Sequence, residues 1–220
     1  TETIAEVAKK QNVEMRDCYT GFKWIAREVA ISEGKQQFIG GGEESYGFMA
    51  EDFCRDKDAV SGCTLLAEIC AYAKDNGKTL YDLVMDIYLE YGFSFEHTIN
   101  VERPGKSGAE EIQQMMVNFR NNPPTTLAGK KIVLSKDFLK LEQVDAQGNI
   151  AKLDMPATSN VLQWFCENGN KVSVRPSGTE PKIKFYLEIK DNMTSADQYK
   201  ACVAKAEKQV EAIKKDLGIA

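Results

Sequence analysis

The feature that most limits what this chain can fold into is a change in its hydrophobic period. Early in the chain apolar residues recur at helical spacing, as in Phe22, Ile25, Ala26 and Val29. Late in the chain they alternate: Ile183, Phe185, Leu187 and Ile189 fall on one face, and Lys184, Tyr186 and Glu188 on the other. Such a switch predicts two differently built regions. The break falls at Arg103-Pro104-Gly105-Lys106, which divides the chain into residues 1–104 and 105–220. A chain of 220 residues has room for two small domains and for a core that needs neither disulfides nor metals.

The first region reads as α/β. Residues 1–10 suit a helix with Ile4, Val7 and Ala8 inward. Val13 to Cys18 and Gln37 to Gly40 suit strands flanking the helix that begins at Phe22 and stops at Gly34. Strand, helix, strand in this spacing predicts a βαβ unit with parallel strands. A helix over 58–76 is expected to bury Cys63, Leu66, Ala67, Cys70 and Ala73. Another over 79–92, with Asp82 in the capping-box position, should turn Leu80, Leu83, Val84, Ile87 and Tyr91 inward.

The second region reads as α+β, an antiparallel sheet with helices on one face. Phe93 to Val101 alternates like a strand just before the break. Ser107 and Glu110 are placed to cap a helix carrying Ile112, Met115, Met116 and Phe119. Strands follow over 130–135, 139–144, 161–167, 171–174 and 182–190, with Asn168-Gly169 as a two-residue hairpin signal. The last helix, capped by Thr194 and Asp197, should bury Tyr199, Cys202, Ala206, Val210 and Ile213.

Composition excludes several classes of function. Lys and Arg total 28 against 33 Asp and Glu, a net charge of -5, which argues against nucleic acid as the main partner. The six cysteines never form C-x-x-C and read as reduced thiols of a cytoplasmic protein. The one histidine, His97, leaves no basis for a Ser-His-Asp triad or a His-built zinc site and reads as a strand residue. No apolar run approaches the roughly 18 residues of a membrane span. The chain opens on a polar helical segment without an initiator Met, as expected of a piece of a longer protein.

Three motifs carry chemistry. Arg175-Pro176-Ser177-Gly178-Thr179-Glu180-Pro181 joins two antiparallel strands and gathers a guanidinium, two hydroxyls and backbone N–H groups. Read alone, it fits either a phosphate anchor or a stiff polar hairpin. It is no nucleotide P-loop, because the Walker lysine and the following helix are missing. Gly41-Gly42-Glu43-Glu44-Ser45-Tyr46-Gly47 offers carboxylates and a hydroxyl suited to sugar hydroxyls, or is a glycine-rich turn with solvated acids. A metal is disfavoured there, since adjacent glutamates point in different directions and no third carboxylate has matching spacing. Thr20-Gly21-Phe22-Lys23-Trp24 places Lys23 at the positive end of a helix dipole. A bound phosphate would compensate it, and a solvated surface lysine explains it as well.

Taken in order, TGFKW at 20–24, GGEESYG at 41–47 and RPSGTEPKIKFY at 175–186 make the chain resemble the C-terminal half of an α-D-phosphohexomutase, of the phosphoglucomutase/phosphomannomutase superfamily. The EESYG form of the sugar loop is more similar to the bacterial phosphoglucomutase branch than to the phosphomannomutase branch, whose loop has a GE-x-SGH form. The resemblance implies the truncated third domain of a four-domain enzyme, followed by its fourth. It implies that Glu43 and Ser45 bind sugar hydroxyls and that Arg175, Ser177, Gly178 and Thr179 grip the non-reacting phosphate. Lys23 would lie near the phosphate or the reacting centre, as a proton-transfer partner or a phosphate contact. It assigns no contact to Glu44 or Tyr46.

The implied activity is interconversion of glucose 1-phosphate and glucose 6-phosphate through a phosphoserine and glucose 1,6-bisphosphate, with Mg²⁺. No Ser-His-Asn-Pro type loop for the phosphoserine and no Asp-x-Asp-x-Asp run for the metal occurs in the chain. Both belong to the family's N-terminal half. The partners implied are a phosphosugar and the N-terminal domains of the same polypeptide, with no nucleic acid and no membrane, and the piece alone is expected to be inactive. The alternatives are specificity for mannose, glucosamine or pentose phosphates, or a binding module without turnover.

Overall fold

The structure, a computed structural model, describes every residue except Glu44, Ser45, Thr179 and Ala220. Two compact units divide the chain, Thr1–Tyr91 and Gly92–Ala220.

The first unit contains α1 (Glu2–Lys10), α2 (Phe22–Ser32), β1 (Gly40–Gly42), β2 (Phe48–Ala50), α3 (Ala59–Asp75) and α4 (Leu80–Tyr91). Local signals set the helix ends. The Asp58 carboxylate accepts the N–H groups of Val60 and Ser61 at the start of α3. Thr79 and Asp82 exchange side-chain bonds to each other's N–H, the capping box expected of α4.

The expected parallel βαβ unit does not form. Residues 13–18 and 37–39 are not strands, and β1 pairs antiparallel with β2, Gly41 opposite Met49. A parallel pair needs neighbouring strands to supply its ladder, and among the described residues of this unit only two three-residue strands are present. The core is therefore small. Phe22, Ile25 and Val29 of α2 close on Met49, with Cys18 and Phe38 beside them.

The expected inward faces of the other helices are corrected in the same way. Of the residues assigned to the α3 face only Ala73 is buried, while Cys63, Leu66 and Cys70 are exposed. On α4 only Met85 is buried, and on α1 Ile4 points to solvent while Thr3 and Ala8 are covered. Two short strands provide no layer broad enough to receive these faces.

The second unit contains β3 (Phe93–Glu102), α5 (Gly105–Asn121), β4 (Thr126–Leu127), β5 (Lys130–Asp137), β6 (Glu142–Asp145), β7 (Ile150–Lys152), β8 (Leu162–Cys166), β9 (Lys171–Pro176), β10 (Lys182–Asp191) and α6 (Tyr199–Asp216). The sheet runs β3-β10-β9-β8-β5-β6-β7, with β4 beside β5, and every pairing is antiparallel. β3, which the sequence attaches to the first region, pairs along its whole length with β10 and so belongs to this unit. The Asn168-Gly169 turn joins β8 to β9, with the Cys166 N–H bonded to the Asn170 carbonyl at 2.8 Å.

One sheet face is apolar, as the alternation predicts. Trp164, Val172, Val174, Ile183, Phe185, Leu187 and Ile189 are all buried. Phe119 of α5 meets Trp164 and Phe185 edge-on, and Tyr199 of α6 meets Phe93. Both helices thus cover the same face. On the polar face Glu188 is buried too, an exception to the expected pattern. Its carboxylate is satisfied by Lys190 at 2.8 Å and by the Ser94 hydroxyl at 3.3 Å.

Two caps differ from expectation. α5 starts at Gly105, so Ser107 lies within its first turn and makes no cap. A 3-10 turn at Ala196–Gln198 precedes α6, and the Gln198 side chain, rather than Asp197, accepts from the Thr194 N–H and hydroxyl.

Candidate functional site

The motifs of the first unit meet at the start of α2. Gly21, at φ 117, is the residue from which the helix springs, a backbone conformation that side-chain-bearing residues rarely adopt. Its N–H donates to the Glu43 carboxylate. The positive end of the α2 dipole is thereby answered by Glu43, and Lys23 needs no bound phosphate to compensate it. The Lys23 ammonium instead lies over the Trp24 ring, 5.3 Å from its centroid, and Tyr19 meets Trp24 edge-on.

The Gly41–Gly47 segment is shaped by packing against α2. A Cβ at Gly47 would come within 2.6 Å of the Phe22 ring and one at Gly41 within 2.9 Å of Ile25. These glycines are thus required by the close approach of the helix, whatever they offer a ligand. The Glu43 N–H closes the segment on the Gly47 carbonyl at 2.9 Å. One Glu43 oxygen is committed to Gly21, and the carboxylate remains only partly buried. Nearby, burial pushes the Cys18 thiol up to about 11, helped by the charges of Glu28, Asp17 and Glu43. It is a protonated packing group at neutral pH. Glu44 and Ser45 lie outside the described residues.

In the second unit the Arg175–Pro181 segment joins β9 to β10. Its geometry is partly self-satisfied. The Ser177 N–H donates to the Lys182 carbonyl at 2.8 Å, and the Glu180 N–H donates to the Ser177 hydroxyl oxygen at 3.2 Å. The Ser177 N–H is therefore engaged in the hairpin. The Lys182 ammonium beside Glu180 holds that carboxyl below the usual carboxylate range.

Arg175 is partly buried, and among the described residues no carboxylate pairs with it. Its direct cross-strand neighbour is Lys184, also partly buried. Like charges directly opposite each other are unfavourable, and on the Lys184 side the charge is answered in part by the Glu180 carboxylate. Gly178 is exposed, and a Cβ there would meet open space, so nothing in the surrounding packing requires a glycine at this position. Thr179 lies outside the described residues.

Lys184 is the residue the motif reading missed. The signal lay in the alternation, which puts Lys184 on the polar face; the hairpin register was needed to set it against Arg175. Among the described residues no group of three or more His, Cys, Asp or Glu is arranged to hold a metal ion. The described residues thus offer no such set of ligands for Mg²⁺. No helix is long and apolar enough to cross a membrane, among the residues described.

Comparison with known proteins places both units. Residues 1–91 match the family model "Phosphoglucomutase/phosphomannomutase, alpha/beta/alpha domain III", and residues 99–206 match "Phosphoglucomutase/phosphomannomutase, C-terminal domain". A phosphoglucomutase of Staphylococcus aureus strain MRSA252 is 38% identical over 196 residues, covering 86% of this chain and 34% of its own length. That of strain MSSA476 is 37% identical over 194 residues, with the same shares. The crystal structure of pp63/parafusin, a phosphoglucomutase from Paramecium, in its open form, superposes with a TM-score of 0.65 at 17% identity, over 100% of this chain and 36% of that one, and shows the likeness of fold. The chain belongs to the phosphoglucomutase/phosphomannomutase family and spans about a third of the length of the curated relatives it matches.

Proposed function

We propose that the chain is the sugar- and phosphate-recognising part of a cytoplasmic phosphosugar mutase that interconverts glucose 1-phosphate and glucose 6-phosphate. In this reading the second unit anchors the phosphate that does not react, through Arg175, Ser177, Gly178 and Thr179, with Lys184 beside them. The first unit reads the sugar hydroxyls through Glu43 and Ser45. Lys23 stands near the reacting phosphate, where an ammonium can hold charge or pass a proton.

A phosphoserine elsewhere in the parent donates its phosphoryl group to the free hydroxyl of the substrate. Glucose 1,6-bisphosphate forms, turns over, and returns its other phosphoryl group to the serine. Mg²⁺ would be held by residues outside this chain and would there supply charge neutralisation. Anchoring one end of the sugar aligns the other for transfer, which is where most of the catalysis in such reactions arises.

The observation that carries this reading is the Arg175–Lys184 pair, two partly buried cations set directly across from each other, with no carboxylate paired to Arg175 among the described residues. A dianionic phosphate answers both charges, and a guanidinium can hold it with two parallel hydrogen bonds.

The test is kinetic, on the full-length parent, with glucose, mannose, glucosamine and pentose phosphates at matched concentration. Arg175→Ala should lower kcat/KM by about 10²-fold or more, since charge-assisted bonds contribute roughly 1.5–3 kcal/mol each. Arg175→Lys should restore part of it, because Lys lacks the planar fork. A kcat/KM within about threefold of wild type for Arg175→Ala would reject the anchor. The 220-residue chain itself should give no turnover, as it carries no phosphoryl carrier. Conversion of glucose 1-phosphate by the purified chain above a heat-killed control would reject that part of the reading.

A further inference from the structure

Within the Gly41–Gly47 segment, Tyr46 is the described residue that the fold does not use. Its ring is fully exposed, at 103% of the reference area, and its backbone sits at φ 64. A left-handed tyrosine costs free energy relative to glycine at the same place, and an aromatic ring in water gains nothing from burial. The other non-glycine residues with positive φ differ. Asn12 is a residue type that tolerates this conformation, Glu51 is an exposed acid, Ala128 lies in the turn between β4 and β5, and Leu141 is partly buried.

Two described residues of the segment, Glu43 and Gly47, are held in place. Glu43 is held by Gly21 through its side chain and by Gly47 through its N–H, and Gly47 is seated on Phe22. A strained backbone that presents a bare aromatic ring, in the same segment as the Glu43 carboxylate, is an arrangement for meeting a ligand.

We propose that Tyr46 is a specificity-determining residue that lays its ring against the C–H face of the hexose whose hydroxyls Glu43 accepts; this rests on the sugar-binding reading of the segment. The faces of a pyranose ring carry its axial C–H bonds, which are apolar and slightly positive, and they complement the negative face of an aromatic ring. A sugar with equatorial hydroxyls offers a clean C–H face. An axial hydroxyl, as at C2 of mannose, interrupts it and leaves a polar group against the ring.

The experiment uses the full-length parent, with glucose 1-phosphate and mannose 1-phosphate as substrates and Tm measured on every variant. Tyr46→Ala should raise KM for glucose 1-phosphate about tenfold, with a smaller change in kcat, and narrow the preference for glucose over mannose. Tyr46→Phe should stay near wild type in KM. Tyr46→Gly should show the same KM loss as Tyr46→Ala with an unchanged or higher Tm, because glycine relieves the left-handed backbone.

Glu43→Ala and Arg175→Ala in the same assay separate the two levels of inference. If they impair the enzyme while Tyr46→Ala and Tyr46→Gly leave KM and the glucose preference within about twofold, the stacking role is overturned alone. If Glu43→Ala is also silent, the sugar-binding reading beneath it fails, and the stacking role with it. A Tm loss in Tyr46→Gly that accounts for its KM change would likewise overturn the proposal, by showing the ring to be structural.

Discussion

The two units differ sharply in their success at burying their apolar residues. In the second unit the alternating strands close into one sheet under α5 and α6, and Trp164 and Leu187 are each 1% exposed. In the first unit the helices are well formed, and α1, α3 and α4 carry side-chain caps, yet Val60 is 76% exposed and Tyr72 61%. Helix formation there is local, set by Asp58, Thr79 and Asp82. Burial is not local, because it needs a second layer. The difference teaches that an amphipathic helix is a demand for a partner surface, and that in this unit most of the demand is unanswered. The chain spans 34% of the length of the curated relative it matches, and the family model that matches this unit is alpha/beta/alpha.

The comparison breaks most visibly under hydrogen exchange. Amides of β9 and β10 should exchange at the rate of global unfolding, and those of α3 and α4 at least about a hundredfold faster, because their opening exposes little that is not already exposed. Equal protection in both units would abolish the distinction. Point substitutions should follow the same line. Trp164→Ala should cost about 3–5 kcal/mol in chemical denaturation, while Leu66→Ala, at a residue already half in water, should stay within about 0.5 kcal/mol. A large loss at Leu66 would mean that its helix face is covered in solution.

The glycines of the two motifs sharpen the contrast further. Gly47→Ala drives a Cβ into the Phe22 ring and should destabilise by about 1–3 kcal/mol. Gly178→Ala meets open space and should leave stability within about 0.5 kcal/mol. Reversal of that order would show that the two loops had been assigned the wrong constraints.

The smallest effect is one the units share. Burial holds the Cys18 and Cys166 thiols at about 11 against an ordinary 9.0. A raised folded value means that the native state binds the proton more tightly, so this contribution is complete below pH 9 and is lost as pH rises from about 9 to about 11. Denaturation midpoints measured across that window should fall, and Cys18→Ala with Cys166→Ala should flatten the fall. An unchanged slope in the double variant would assign the alkaline loss to other groups.

What the sequence determined by itself was whatever depends on neighbours along the chain. It set the helices and most of their limits, with the Thr79–Asp82 box where it was expected, though not the starts of α5 and α6. It set the Asn168-Gly169 hairpin and the apolar face of β10, because capping, turn chemistry and alternation act over a few residues. Only the tertiary structure decided the rest. It withheld the parallel pair, because residues 13–18 and 37–39 found no ladder to join, and it gave β3 to the second unit through β10. It committed Glu43 to the start of α2, and it set Lys184 against Arg175 across the hairpin. Each of these depends on which distant segments meet. A one-residue change of register would turn Lys184 to the opposite face, and local periodicity carries no record of that choice.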